Sequence, residues 1–210
     1  MMRSIVCAVL VALSAGVSTV AAQERQVGFK AGVNVASIVF DGDPSGGYKE
    51  NRIGFLAGGF AVLPVGGALA VQIEALFSQK GAQFSADDEN LEATLELDYL
   101  DIPVMLRIDG PVLGNNRLHF FGGPSLAFRM GARSKLSDES FEYAQGSIDD
   151  IEDDIEPFEY GIVVGAGLDI GRRVVIDGRY TWGLSTINKD TSDGVELKNR
   201  VFSFMAGVRF

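Results

Sequence analysis

The 210-residue chain carries 28 acidic against 18 basic residues, a formal net charge of −10. An excess of that sign argues against a nucleic-acid partner, whose phosphates call for a basic surface. Cysteine occurs once, at Cys7 in the leading segment, so the remainder of the chain offers no disulfide, thiol nucleophile or cysteine metal site.

Arg3 opens a short positive region, Ser4 to Gly16 is almost unbrokenly apolar, and Val20-Ala21-Ala22 sets small residues before Gln23. This is the pattern of an export signal, so residues 1–22 are expected to be a signal peptide and residues 23–210 a single β-barrel domain. From Val27 onward, alternation with a period of two replaces any helical period. Val27, Phe29, Ala31, Val33 and Val35 form an apolar face against Gly28, Lys30, Gly32 and Asn34; Leu100 to Ile108, Tyr160 to Ile170, Val174 to Trp182 and Phe202 to Phe210 repeat the split. Eight strands are predicted, at 27–39, 51–63, 68–80, 94–108, 117–130, 158–170, 173–183 and 200–210. The connections after strands two, four and six are short (Pro64 to Gly67, Asp109 to Asn116, Gly171-Arg172), whereas those after one, three, five and seven are long, polar and mostly acidic. Strict alternation of short and long connections predicts an all-β, eight-stranded antiparallel up-and-down transmembrane barrel with two chemically different ends.

Two barrels have this pattern, one soluble with an apolar interior and one inverted in a membrane. The polar faces carry Lys30, Arg107, Arg129, Arg179 and Arg209 with Glu74, Asp101, Glu159, Asp169 and Asp177, and they are rich in glycine. Small glycines and paired charges suit an eight-stranded lumen, and bulky rings suit lipid. Phe29, Phe55, Phe77, Phe120, Phe128, Tyr160, Tyr180, Trp182 and Phe210 fall near strand ends on the apolar face, as the girdles of an outer-membrane barrel would. The last strand is then expected to pair with the first, with Phe210 at the periplasmic boundary.

The stretches VGFKAGVNVAS, YLDIPVMLRI, FEYGIVVGAGLDI and RYTWGLSTI resemble the PorT-like, porin-family outer-membrane β-barrel proteins of Bacteroidota along essentially all of residues 23–210. That resemblance implies a barrel in the cell outer membrane of a Gram-negative bacterium, reached after signal-directed export. It also implies a terminal aromatic read by the barrel-assembly machinery, and it leaves the function open.

Charges of both signs inside so narrow a barrel must pair or stay hydrated. Lys30, Glu74, Asp101, Arg107, Arg129, Glu159, Asp177, Arg179 and Arg209 are therefore expected to form a lumen network that acts as a structural plug. The loops hold acids instead: residues 131–157 carry nine against Arg133 and Lys135, and Asp87, Asp88, Glu89 and Glu92 precede strand four. Runs of that density are usually solvated. DGDPSG at 41–46 begins like a calcium loop, but Arg52 stands where a bidentate glutamate should close it. GGPSLA lacks the last glycine of a nucleophile elbow, GAGLDIG has the wrong spacing for a dinucleotide, and the one histidine, His119, is expected at the periplasmic rim, too far from Ser125 for proton transfer. No catalytic, cofactor or metal residue is expected. The expected role is structural, surface-interacting or narrowly porin-like. Expected partners are outer-membrane lipid and lipopolysaccharide, with a further surface partner open to the acidic loops. The alternatives are a barrel-embedded hydrolase acting on lipid or peptide, and a secreted soluble barrel holding an apolar ligand.

Overall fold

A computed structural model of the chain describes residues 25–41, 50–86, 91–138, 148–150, 155–189 and 196–210. The described residues form nine strands: β1 (Gln26–Asp41), β2 (Glu50–Gly66), β3 (Leu69–Ala86), β4 (Leu91–Leu113), β5 (Asn116–Asp138), β6 (Ile148–Asp150), β7 (Phe158–Ile170), β8 (Val174–Gly183) and β9 (Glu196–Arg209). All pair antiparallel with their chain neighbours, except that β6 only flanks the far end of β5. β1 closes on β9 from Gly28↔Arg209 to Asp41↔Glu196, so eight strands make a continuous wall without an edge.

The wall is that of the expected barrel, with longer staves. β4 and β5 each run for 23 residues, and β4 continues through the Gly110-Pro111 pair that reads as a turn. The extra residue is absorbed as a bulge: Asp109 faces His119 and Val112 faces Arg117, so two residues on β4 oppose Leu118 alone. Proline is tolerated at a bulge because no ladder N–H is required there. The reversal comes later, at Gly114, whose φ of 65° favours glycine, and Gly171 at φ 58° reverses the chain between β7 and β8 in the same way. A second bulge, opposite Asp98–Tyr99, changes which residues of β5 face inward: Phe128 and Met130 are exposed, whereas Ala132 is buried.

Burial inverts the soluble pattern. Phe29, Ile53, Phe120, Tyr160, Phe204 and Phe210 are exposed on the outer face, while Lys30, Glu74, Arg107, Asp169, Asp177 and Arg179 are buried inside. This arrangement excludes the soluble barrel with an apolar interior, because its charges are withdrawn from solvent and its rings presented to the surroundings. Three of the inward-pointing rings each lie opposite a glycine of the adjacent strand: Phe60 by Gly28, Phe121 by Gly165 and His119 by Gly167. A Cβ on Gly165 would stand 2.5 Å from the Phe121 ring. Glycine on one strand therefore makes room for an aromatic ring on the next, which also covers its bare backbone.

Candidate functional site in the barrel lumen

The inward side chains stack in layers along the barrel. Nearest the short turns, Asp169 on β7 accepts from Arg107 Nη2 at 2.6 Å and lies 2.7 Å from Arg209 Nη1. Arg107 also donates through Nε to Asp109 at 2.7 Å, and Arg117 reaches the other oxygen of Asp109 at 3.2 Å. His119 is wholly buried in this layer, with Nδ1 3.5 Å from Asp169, and does not lie at the rim where the sequence suggested it. β5 begins at Asn116 and turns His119 inward over Gly167. A planar ring there fills space that Gly167 leaves.

One layer further, Lys30 Nζ lies 2.7 Å from both Glu74 and Asp177, and Arg179 donates to the second oxygen of Glu74 at 2.8 Å. Gln72 donates to Glu74 at 2.6 Å, and Phe60 offers its ring face to Lys30 at 4.9 Å. Two cations and two carboxylates thus neutralise one another, each held by hydrogen bonds as well as charge, which is what burial of ions requires.

Above this layer Asn34 links Ser78 (3.0 Å) and Ser203 (2.7 Å), and Lys80 lies between Asp101 at 3.0 Å and Glu159 at 3.6 Å, with the Tyr99 ring 4.6 Å away. Asn199 donates to Glu159 at 2.9 Å. Arg129, opposite Tyr99 in register, is half-buried, and its Nε and Nη1 have no hydrogen-bond partner among the described residues. The inward charges named from sequence therefore divide among separate layers. Lys80 was missed because the strand was expected to stop there, whereas β3 continues to Ala86.

At the loop end the lumen is closed by apolar side chains. Ile155 and Ile187, from the connections before β7 and after β8, are buried against Ile38, Ala82, Leu97 and Ala132 of the wall. Main-chain bonds from Glu156 N to Ile187 O at 2.7 Å and from Ile187 N to Leu197 O at 2.8 Å tie both connections to the rim. No alternation of period two marks these isoleucines, which stand among other scattered apolar residues, Ile148 and Ile151 before Ile155 and Leu184 before Ile187, in mostly polar connections. Most of DGDPSG, and Ser147 with residues 151–154 of SIDDIEDDIEP, lie outside the described residues. Among the described residues no group of His, Cys, Asp or Glu is placed to hold a metal ion.

The family model for the outer membrane protein beta-barrel domain matches residues 21–189. Similar solved structures include Ail, the attachment invasion locus protein of Yersinia pestis, in complex with the heparin analogue sucrose octasulfate (17% identity, 90% of this chain and 100% of that one, TM-score 0.45). Neisserial surface protein A is 12% identical over 90% of this chain and 100% of its own, TM-score 0.48. OprG from Pseudomonas aeruginosa is 12% identical over 89% and 95%, TM-score 0.47. No curated protein matches the chain.

Proposed function

The chain belongs to the outer membrane protein beta-barrel domain family, and from that premise we propose that it is a closed barrel of the outer membrane, one that works through its outer surface and conducts no solute. The observation that carries this reading is the lumen itself. The layer of Lys30, Glu74, Asp177 and Arg179 spans the interior, each charge within 2.8 Å of a partner, and the cap of Ile155 and Ile187 lies above it. An ion entering would have to break buried pairs whose separation leaves uncompensated charge, and would first have to pass an apolar constriction.

In this reading the short turns face the periplasm and the long acidic connections face outward, as in barrels of this type. Residues 1–22 serve as the export signal, the lumen charges hold the wall together, and Phe210 is the aromatic that the assembly machinery reads. The acidic loops meet the outer leaflet or a surface partner. A PorT-like assignment remains with the sequence resemblance, and a hydrolase is disfavoured because the sole histidine is sealed in the lumen beside Asp169.

Electrophoresis of the membrane fraction with and without boiling tests the barrel, and planar-bilayer recording tests the closure. A heat-dependent mobility shift with no steady conductance is expected. Large, persistent channels from the unmodified protein would overturn the closed reading.

A further inference from the structure

The end opposite the apolar cap opens into a cavity of about 750 Å³. Its lining holds Arg25, Arg117, Arg172, Arg173 and Arg209 against one carboxylate side chain, Asp169. Asp169 is already committed to Arg107 and Arg209. Arg25, Arg172 and Arg173 are exposed and make no ion pair among the described residues, and Arg117 leans on Asp109 with its side chain 46% exposed. Even with a carboxylate at Phe210 counted, arginine prevails at this mouth. A chain of net charge −10 has no compositional reason to gather cations there.

The rim is also held in place. Arg209 donates from Nε to the Arg172 carbonyl at 2.9 Å and from Nη2 to the Gly171 carbonyl at 3.2 Å, and Asn116 accepts from Gly171 N at 3.4 Å. These bonds fix the turn that bears Arg172 and Arg173, so less ordering is left for a ligand to impose. Val112 and Phe210 line the same cavity and face outward, 58% and 77% exposed. The cationic rim therefore runs directly into the lipid-facing band.

Guanidinium groups match the oxygens of a phosphate in bidentate fashion, and an apolar band suits acyl chains. A free phosphate satisfies the first feature alone; an anionic phospholipid satisfies both. We propose that the arginine rim is a binding site for the phosphate headgroup of an anionic phospholipid in the periplasmic leaflet. This rests on the membrane orientation given under the proposed function.

The test uses wild-type protein and the R172Q/R173Q variant, refolded into vesicles of equal parts phosphatidylglycerol and phosphatidylcholine, extracted gently, and assayed for co-purifying lipid by mass spectrometry. Phosphatidylglycerol should be enriched on the wild type. Because a basic residue near an anionic surface contributes about fivefold in binding, the double variant should lose that enrichment by about 25-fold. Arg133→Gln, at the loop end, should retain it. Equal recovery of the two lipids, or enrichment unchanged in R172Q/R173Q, overturns the proposal. So does displacement of the lipid by inorganic phosphate, or by soluble polyglutamate, as readily as by phosphatidylglycerol itself. The heat shift of each sample reports insertion separately: its absence from the wild type sinks the barrel reading, whereas its presence with unselective lipid sinks this inference alone.

Discussion

Lys30 and Glu74, 44 positions apart in sequence and separated in the wall by the whole of β2, meet at 2.7 Å with side chains 1% and 0% exposed. Neither can find water if the other is removed. Replacing one partner of such a pair costs about 3–5 kcal/mol, because a buried charge is left uncompensated. Lys30→Met should therefore lower the urea midpoint of the folded barrel in vesicles by a corresponding amount, with no gain in conductance, since Phe60, Gln72 and Arg179 still occupy the layer. An unchanged midpoint would show that water fills the lumen and screens the pair.

The pairing of glycine with inward rings gives a comparison between two alanine substitutions. Gly165→Ala places a methyl group 2.5 Å from the Phe121 ring, whereas the nearest atom to a Cβ on Gly59 is 3.7 Å away. Overpacking of this kind costs about 1–3 kcal/mol, so Gly165→Ala should destabilise while Gly59→Ala stays near neutral. Equal unfolding midpoints for the two variants would mean that Phe121 has another rotamer open to it.

For the cap, truncating Ile187 to Ala removes a side chain only 1% exposed, at an expected cost of about 2–5 kcal/mol shared between the rim and the connections it anchors. The loosened part is local. Limited proteolysis should cut the β5–β7 and β8–β9 connections faster in Ile187→Ala, while bilayer recordings stay silent because the ionic layers beneath are intact. Channel opening in this variant would identify the apolar cap, and not the charges, as the sole barrier.

Trp182, the one tryptophan, is 37% exposed on the outer face beside Tyr180, ring centroids 4.5 Å apart. It lies near the loop end of β8, where aromatic girdles meet the headgroups. Its emission should shift to the blue on insertion, and bromine placed high on the acyl chains should quench it more than bromine at the bilayer centre. The reverse depth order would move the membrane boundary along the barrel.

The class of fold was legible because two physically opposite faces alternate along every strand, and glycine with charge on one of them can suit only a narrow lumen. Strand ends were harder to read. Gly110-Pro111 carries the chemistry of a turn, yet a bulge against Leu118 lets β4 run on, and Lys80 was lost from the lumen by the same underestimate of strand length. His119 was placed at a rim because nothing in its neighbours tells how far below the rim its strand begins. Nothing in the sequence singles out Ile155 from Ile148 and Ile151, or Ile187 from Leu184, because a cap made of one residue from each of two connections exists only in three dimensions.

The seam between β1 and β9 bears on how such a chain is made. Arg209 donates to the side chain of Gln26 across 183 positions, and the ladder beside it joins the earliest strand to the latest. Contacts of that sequence separation form slowly, because the loop entropy is lost before any bond rewards it. Until β9 arrives, the other strands carry two open edges and a lipid-loving outer face through water, and every edge is a template for joining a second chain. Synthesis from the N-terminal end thus delivers the closing strand after the other seven of the wall, and until it pairs the unfinished sheet stays open to joining a second chain.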